Sequence, residues 1–289
     1  MKVTGTRTDI LVGIDPRDIS VPVLAWAADE AERRNAPLRL VVSVPPLHDT
    51  QHVDSEPQHM TLASRGTAAL ARAAETVRAL HPDLTVTTGL LDGMPAPMLC
   101  RQAAESGQLV VLGSRRLSRP EEWLSASSVA VPVSAQADCP VVVVREPEHT
   151  AADPGRLVLG VDGSPASRAA AAFAFDEARL RKATVHALWV WRPPVVALHG
   201  EDAAVEKRRA LLATTLAGLP DAYPDVDLVQ EVRRGHPVEE LSEAARDALA
   251  VVVGRRGRGG YSGMRLGSVV HGLLHRAECP VITVPTAGG

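Results

Sequence analysis

Along the chain, short runs of Val, Ile and Leu alternate with longer Ala-rich stretches that favour helix, such as residues 167–181 and 238–248. The apolar runs fall near residues 10–14, 38–44, 84–88, 109–112 and 141–144. They recur near 157–161, 184–190, 226–232, 250–253 and 281–284. Strand-length runs separated by helix-length segments predict βαβ units and a parallel sheet. The runs are apolar on successive residues rather than alternate ones, as in strands covered by helices on both faces. The expected fold is α/β, with five strands in each half of the chain.

The two halves match in order along their length. Ile10-Leu11-Val12-Gly13-Ile14-Asp15 returns as Leu157-Val158-Leu159-Gly160-Val161-Asp162, an apolar run ending in Gly-x-Asp. Trp26-Ala27-Ala28-Asp29-Glu30-Ala31 is answered by Phe173-Ala174-Phe175-Asp176-Glu177-Ala178, and Gly93-Met94-Pro95 by Gly235-His236-Pro237. Leu109 to Gly113 matches Ala250 to Gly254, and Asp138-Cys139-Pro140 matches Glu278-Cys279-Pro280. The offset drifts only from 147 to 140, so the halves differ by small loop insertions and deletions. A chain of 289 residues has room for two ordinary domains. They are expected at residues 1–147 and 155–289, joined by a linker over 145–155 in which Pro147, Pro154 and Gly155 stand among polar residues.

Composition sets limits on partners. With 45% hydrophobic and 22% charged residues the chain has the balance of a soluble globular protein and is too apolar for a disordered one. A net charge of -3 provides no overall field to draw nucleic acid or an anionic membrane, so neither is an expected partner and any anion site must be local. Residues 1–9 are polar, without the apolar stretch of a signal peptide, and no apolar run approaches the roughly 20 residues of a membrane span. A cytoplasmic location is the corresponding expectation. Cys100, Cys139 and Cys279 are too few and too scattered for a disulfide framework or a CxxC metal site.

The candidate chemistry lies after the fourth strand of the second half. Residues 254–268 read G-x2-G-x9-G-S and contain four arginines and no acid. Gly254 and Gly257 are expected to let the backbone adopt positive φ and to let main-chain N–H groups converge on an anion. Gly267-Ser268 stands where a helix should begin, so its free N–H groups, the hydroxyl and the helix dipole all favour phosphate. The loop follows a strand, precedes a helix and opens at the carboxyl edge of a parallel sheet, where Asp162 ends the first strand. Asp162 can accept from a ribose hydroxyl or an adenine amino group, or equally cap the helix that follows Gly163-Ser164.

On these residues the chain resembles a tandem universal stress protein: G-x2-G-x9-G-S with an upstream strand ending in Asp is that family's ATP-binding signature, and the pattern covers almost the whole chain. The resemblance implies two tandem domains, each a five-stranded parallel sheet sandwiched by helices, Rossmann-type and adenine-nucleotide α-hydrolase-like. It implies that Asp162 touches adenine or ribose, that Val190 lines the adenine pocket, and that Gly160 lets the nucleotide approach. Gly254, Gly257, Gly267, Ser268 and Val269 would surround ribose and phosphates. The segment between them, Arg255, Arg256, Arg258, Gly259 and Gly260, joins the candidate site, the arginines on grounds of charge. The implied ligand is ATP, with magnesium as a companion; a homodimer, a regulatory protein partner and a part in stress adaptation are implied with it. Val141 to Val144 and Val281 to Val284 are the expected contact edges.

The first half departs from the signature. Gly13, Asp15, Val44, Gly113 and Ser128 keep candidate positions, but Arg116 replaces the second glycine, Ser127 replaces the third, and Pro120, Glu121 and Glu122 lie between. An arginine in the phosphate space and two carboxylates nearby oppose phosphate binding, so the first half is expected to bind nucleotide weakly or not at all.

Other motifs carry less. There is no G-x4-G-K-[ST] and no lysine in the loop, which argues against a P-loop NTPase, and Gly160 to Ser164 lacks the S-G-G-x-D-S loop of adenylating relatives. His271 and His275 are four apart on a predicted helix without a third ligand, and His48, His52 and His59 read as a solvated loop. Cys139 and Cys279 read as small buried residues. Two functions remain open: a nucleotide-dependent regulatory module with slow or no turnover, and a slow Mg-dependent ATPase or nucleotidyl-transfer enzyme that uses Asp162.

Overall fold

The computed structural model of the chain describes residues 8–45, 55–114, 129–145, 155–192, 201–258 and 265–286. It divides into two compact units, Met1–Pro147 and Glu148–Gly289. The first contains β1 (Asp9–Gly13), α1 (Val21–Arg34), β2 (Leu38–Val44), α2 (Ser55–Leu80), β3 (Val86–Asp92), α3 (Pro95–Glu105), β4 (Gly107–Ser114), α4 (Ala130–Gln136) and β5 (Val141–Arg145). The second contains β6 (Arg156–Gly160), α5 (Pro165–Arg181), β7 (Thr184–Trp191), α6 (Glu201–Leu216), the short α7 (Leu219–Ala222), β8 (Leu228–Arg234), α8 (Pro237–Ala244), β9 (Ala250–Gly254), α9 (Ser268–Arg276) and β10 (Val281–Val284).

Within the first unit the strands pair in parallel in the order β3-β2-β1-β4-β5. Within the second the order is β8-β7-β6-β9-β10. Right-handed crossovers explain the layers: α1 and α2 pack together, as do α3 and α4, and in the second unit α5 packs with α6 and α8 with α9. The central strands are buried along their length, as Ile10 to Val12, Leu157 to Leu159 and Val251 to Val253 show, which accounts for their unbroken apolar runs.

β3 and β8 begin two residues later than their apolar signals and run on to Asp92 and Arg234. The reason is the same in both: Leu84 N–H and Val226 N–H close turns onto the carbonyls of His81 and Tyr223 at 3.2 and 3.1 Å instead of joining a ladder. Each strand is then an edge whose residues are partly or fully exposed, so polar residues such as Thr87 and Glu231 belong to it. α8 stops at Ala244, short of the predicted helix end. The expected linker also starts too early, because Arg145 is the buried last residue of β5.

The first helix of each unit is built alike. Ser20 and Ser164 are N-caps whose hydroxyls accept from Val23 N–H and Ser167 N–H, a proline follows in the first turn, and Asn35 and Lys182 close the helices in the left-handed conformation. Each helix also carries a fully buried glutamate in an ion pair one turn away, Glu30 with Arg34 and Glu177 with Arg181. At the offset of 147 these residues coincide, yet α5 starts at Pro165 and α1 only at Val21, three residues later in register.

Candidate functional site

In the second unit the chain leaves β6 toward β7 and β8 on one side, then returns to place β9 and β10 on the other. The carboxyl ends of these two adjacent strands are therefore the point where the strand order reverses, the place where open α/β sheets bind ligands. Residues 161–164 and the glycine loop from Gly254 both emerge there.

The two connections are bonded to each other. One carboxylate oxygen of Asp162, Oδ1, accepts from Ser164 N–H at 2.9 Å, and the other, Oδ2, accepts from Arg258 N–H at 2.8 Å. Ser164 Oγ accepts from Ser167 N–H at 3.1 Å as the α5 cap and donates to the Arg256 carbonyl at 3.4 Å. At the stem of the loop, Arg255 N–H donates to the Val284 carbonyl at 2.8 Å, and the Arg255 carbonyl accepts from Gly267 N–H at 2.9 Å. α9 starts immediately afterwards, with Gly267 as N-cap and Ser268 exposed in its first turn. The helix begins where the spacing predicts.

The positive φ expected of the loop glycines is not what the structure shows. Neither Gly254 nor Gly257 has positive φ, and Gly267 sits at φ -70°. A Cβ on Gly254 would lie 2.6 Å from the Ala166 carbonyl carbon, and one on Gly257 would lie 2.6 Å from Asp162 Oδ2. Close approach, not dihedral freedom, is the constraint at both: backbone bars a side chain at Gly254, and at Gly257 one would have to displace the Asp162 carboxylate. Gly163 is the residue here that needs positive φ, at 75°, in the turn between Asp162 and the α5 cap. Gly160 makes room for Val253 and Leu241, just as Gly13 makes room for Leu112 and Leu99 in the first unit. At Gly267 a Cβ would meet nothing among the described residues closer than 3.4 Å, so no contact with them demands that glycine.

The arginines do not form one patch. Arg255 is buried at 5% exposure, whereas Arg256, Arg258 and Arg265 are exposed. Val269 is half-buried in the first turn of α9. Val190 is half-buried in β7, but it is not the counterpart of Val44. Leu38 and Val185 hold equivalent register positions beside β1 and β6, and Gly93 N–H bonds the Val44 carbonyl as Gly235 N–H bonds that of Trp191. Trp191 therefore occupies the place of Val44, and a shift of one residue turns a side chain to the other face of the sheet. Trp191 is buried with the Arg208 guanidinium 4.0 Å from its ring centroid. Trp189, which sequence reasoning did not single out, packs its indole against Gly163. Gly259 and Gly260 lie outside the described residues.

In the first unit Gly13, Asp15, Val44 and Gly113 occupy the corresponding strand ends. Asp15 Oδ1 accepts from Arg17 N–H at 2.9 Å, and the Asp15 carbonyl accepts from Asp18 N–H, forming a turn where α5 has already begun in the second unit. Arg116, Pro120, Glu121, Glu122, Ser127 and Ser128 lie outside the described residues.

Two hollows flank the sheet of the second unit. One of about 630 Å³ shares Ser268 and Val269 with the candidate site and extends past His271, Arg192 and His236. The other, about 400 Å³, lies against β6–β8 and is lined by Arg156, His186 and Arg233. Its cations are matched: Glu231 takes two hydrogen bonds from Arg233, at 2.6 and 2.9 Å, and lies 2.8 Å from His186 Nε2, while Arg156 pairs with Asp247. The Arg233 bonds hold the Glu231 carboxyl below the usual carboxylate range. Among the described residues no three His, Cys, Asp or Glu side chains group as metal ligands. His271 and His275 pack ring against ring at 4.6 Å, and Cys139 and Cys279 are buried and unbridged. No helix among the described residues is long and apolar enough to cross a membrane.

Comparison with known proteins agrees with the repeat. The Universal stress protein family model matches residues 6–145 and again 155–285. A universal stress protein of Mycolicibacterium smegmatis is 36% identical over 98% of this chain and 99% of its own length. One of Mycobacterium tuberculosis is 35% identical over 94% of this chain and 95% of its own. The crystal structure of a universal stress protein from Archaeoglobus fulgidus superposes with a TM-score of 0.74 over 98% of both chains at 14% identity, a likeness of fold. The doubled domain and these relatives together place the chain in the universal stress protein family.

Proposed function

We propose that the second unit binds an adenine nucleotide, ATP foremost, in the crevice between the carboxyl ends of β6 and β9, and that the protein acts as a nucleotide-dependent regulatory module. One observation carries this reading: the glycine loop is folded back onto the turn after β6, and α9 starts directly from its stem. Free N–H groups in the first turn of a nine-residue helix, together with the exposed Arg256, Arg258 and Arg265, favour phosphate at that end. The carboxylate of Asp162 accepts and does not donate. It repels phosphate and suits the hydroxyl and amino groups of ribose and adenine, which orients the nucleotide with its sugar and base toward β6. Gly267, which no packing among the described residues requires, is the glycine whose bareness a ligand would use.

On this reading Asp162, Gly254, Gly257, Gly267, Ser268 and Val269 hold the ligand with the neighbouring arginines, and magnesium arrives with the nucleotide's phosphates. Both oxygens of Asp162 already accept from backbone amides, which favours a binding use of the acid over hydrolysis. The first unit, with its altered loop sequence and different turn after Asp15, makes at most a weak site. A cytoplasmic location, a homodimer and a protein partner that responds to the bound state complete the proposal. The test is mass spectrometry of ligand released from purified protein, followed by titration with ATP. Intact adenine nucleotide and saturable binding support the reading. Steady release of phosphate that disappears in Asp162→Ala would replace it with an enzyme.

A further inference from the structure

We infer that Asp162 is the positioning residue of the glycine loop, a clamp that sets the shape of residues 256–258 before any ligand arrives. The clamp rests on geometry alone; its consequence for affinity rests on the nucleotide-binding reading above.

The stem of the loop is held from the sheet side, through Arg255 N–H on the Val284 carbonyl and Gly267 N–H on the Arg255 carbonyl. Residues 256–258 project beyond that stem and are exposed. They reach back to the start of α5, where Arg258 N–H meets Asp162 Oδ2 at 2.8 Å and the Arg256 carbonyl meets Ser164 Oγ at 3.4 Å. Asp162 is itself fixed, because its Oδ1 accepts from the N–H of Ser164, the cap of a 17-residue helix. A carboxylate held at one oxygen presents the other in a defined direction, and an N–H bond to a charged acceptor is about twice as strong as one to a neutral acceptor.

The glycine at 257 follows from the same contact. Its φ is not positive, so an L-residue fits the backbone, yet a Cβ would lie 2.6 Å from Asp162 Oδ2. The carboxylate thus creates the requirement for glycine, and the two positions are coupled. In the first unit the described residues show Asp15 bonding Arg17 N–H within its own turn, and α1 begins three residues later in register than α5.

The experiment is a double-mutant cycle of Asp162→Ala and Gly257→Ala in the full chain. Two quantities are read: amide hydrogen exchange of residues 256–258 without nucleotide, and ATP affinity by calorimetry. Asp162→Ala should speed exchange at the Arg258 amide about tenfold or more, the effect of losing one hydrogen bond to a charged acceptor. Gly257→Ala alone should speed it comparably, by displacing the carboxylate, but should add less than about twofold in the Asp162→Ala background, where the clash is gone. Asp162→Asn, which keeps the volume and one acceptor oxygen, should give an intermediate loss and serves if the alanine variant does not fold. Unchanged exchange at Arg258 in both Asp162 variants overturns the clamp. So does a Gly257→Ala effect of equal size with and without Asp162. Weaker ATP binding in Asp162→Ala with exchange unchanged makes Asp162 a ligand contact only and likewise overturns it. Absence of ATP binding by the wild-type chain sinks the nucleotide reading, while the exchange data still decide the clamp.

Discussion

Gly254→Ala isolates the packing demand at the base of the loop. Gly254 ends β9, and its missing Cβ would sit 2.6 Å from the carbonyl carbon, 2.7 Å from the carbonyl oxygen and 2.8 Å from the Cβ of Ala166, a residue 4% exposed in the first turn of α5. Two of these neighbours are backbone atoms, so no rotamer change relieves the overlap; α5 must shift against β9, against which it packs. Overpacking of a core commonly costs 1–3 kcal/mol, and a clash with backbone belongs at the upper end, about 3 kcal/mol. For a unit of this size each kcal/mol lowers the midpoint by about 2–4 °C, so the second unit's unfolding transition should fall by about 6–12 °C in differential scanning calorimetry. A shift below about 2 °C would mean that Gly254 is bare for a ligand rather than for α5, and the packing argument would be refuted.

Gly267→Ala should behave in the opposite way. Among the described residues the new Cβ meets ordinary contacts at 3.4 Å or more, so stability should change by less than about 0.5 kcal/mol, while ATP affinity measured by calorimetry should fall. Unchanged affinity would remove Gly267 from the site. Ser164→Ala removes the α5 cap and the hydroxyl bonded to Arg256, and should cost about 1–2 kcal/mol by urea denaturation; no change would show that the cap carries no energy. Glu231→Gln should lower stability at neutral pH by no more than about 1 kcal/mol, because the Glu231 side chain is 38% exposed and its pair with Arg233 is screened by solvent. The Glu231 carboxyl is held low in the folded state, so its contribution is present above the ordinary value of 4.5 and is lost as pH falls through the lower folded value. The wild-type and variant curves should therefore converge once the pH is below that lowered folded value, and a gap that persists in strong acid would contradict the assignment.

The repeat, the strand count and the start of α9 were legible in the sequence because each rests on a local signal: an apolar run, a matched hexapeptide, a Gly-Ser before Val269 and Val270. Edge strands β3 and β8 were displaced because Leu84 and Val226 look like strand residues and in fact close turns. The positive φ expected at Gly254 and Gly257 is absent, and their backbone conformation was not legible from composition. Composition shows that a side chain is missing, but whether the cause is φ or a neighbour such as Ala166 or Asp162 Oδ2 depends on residues about 90 positions away. Val190 and Val44 look equivalent as valines near strand ends, and only the ladder reveals that Trp191 holds the place of Val44. The burial of Arg255 was likewise invisible, since four arginines in one loop look alike until a fold covers one of them. The link from Asp162 to Arg258 had half a signal: an Asp two residues before a serine cap predicts the turn it makes, but not the second loop it holds.

The most direct test of nucleotide binding in the second unit is calorimetric titration of ATP into the full chain and into Gly257→Glu, which places a side chain against Asp162 Oδ2 and a carboxylate in the loop. The account predicts one nucleotide per chain for the wild type and no binding by the variant, with its unfolding transition retained. Undiminished binding by Gly257→Glu, or two equivalent sites per chain in the wild type, would contradict it.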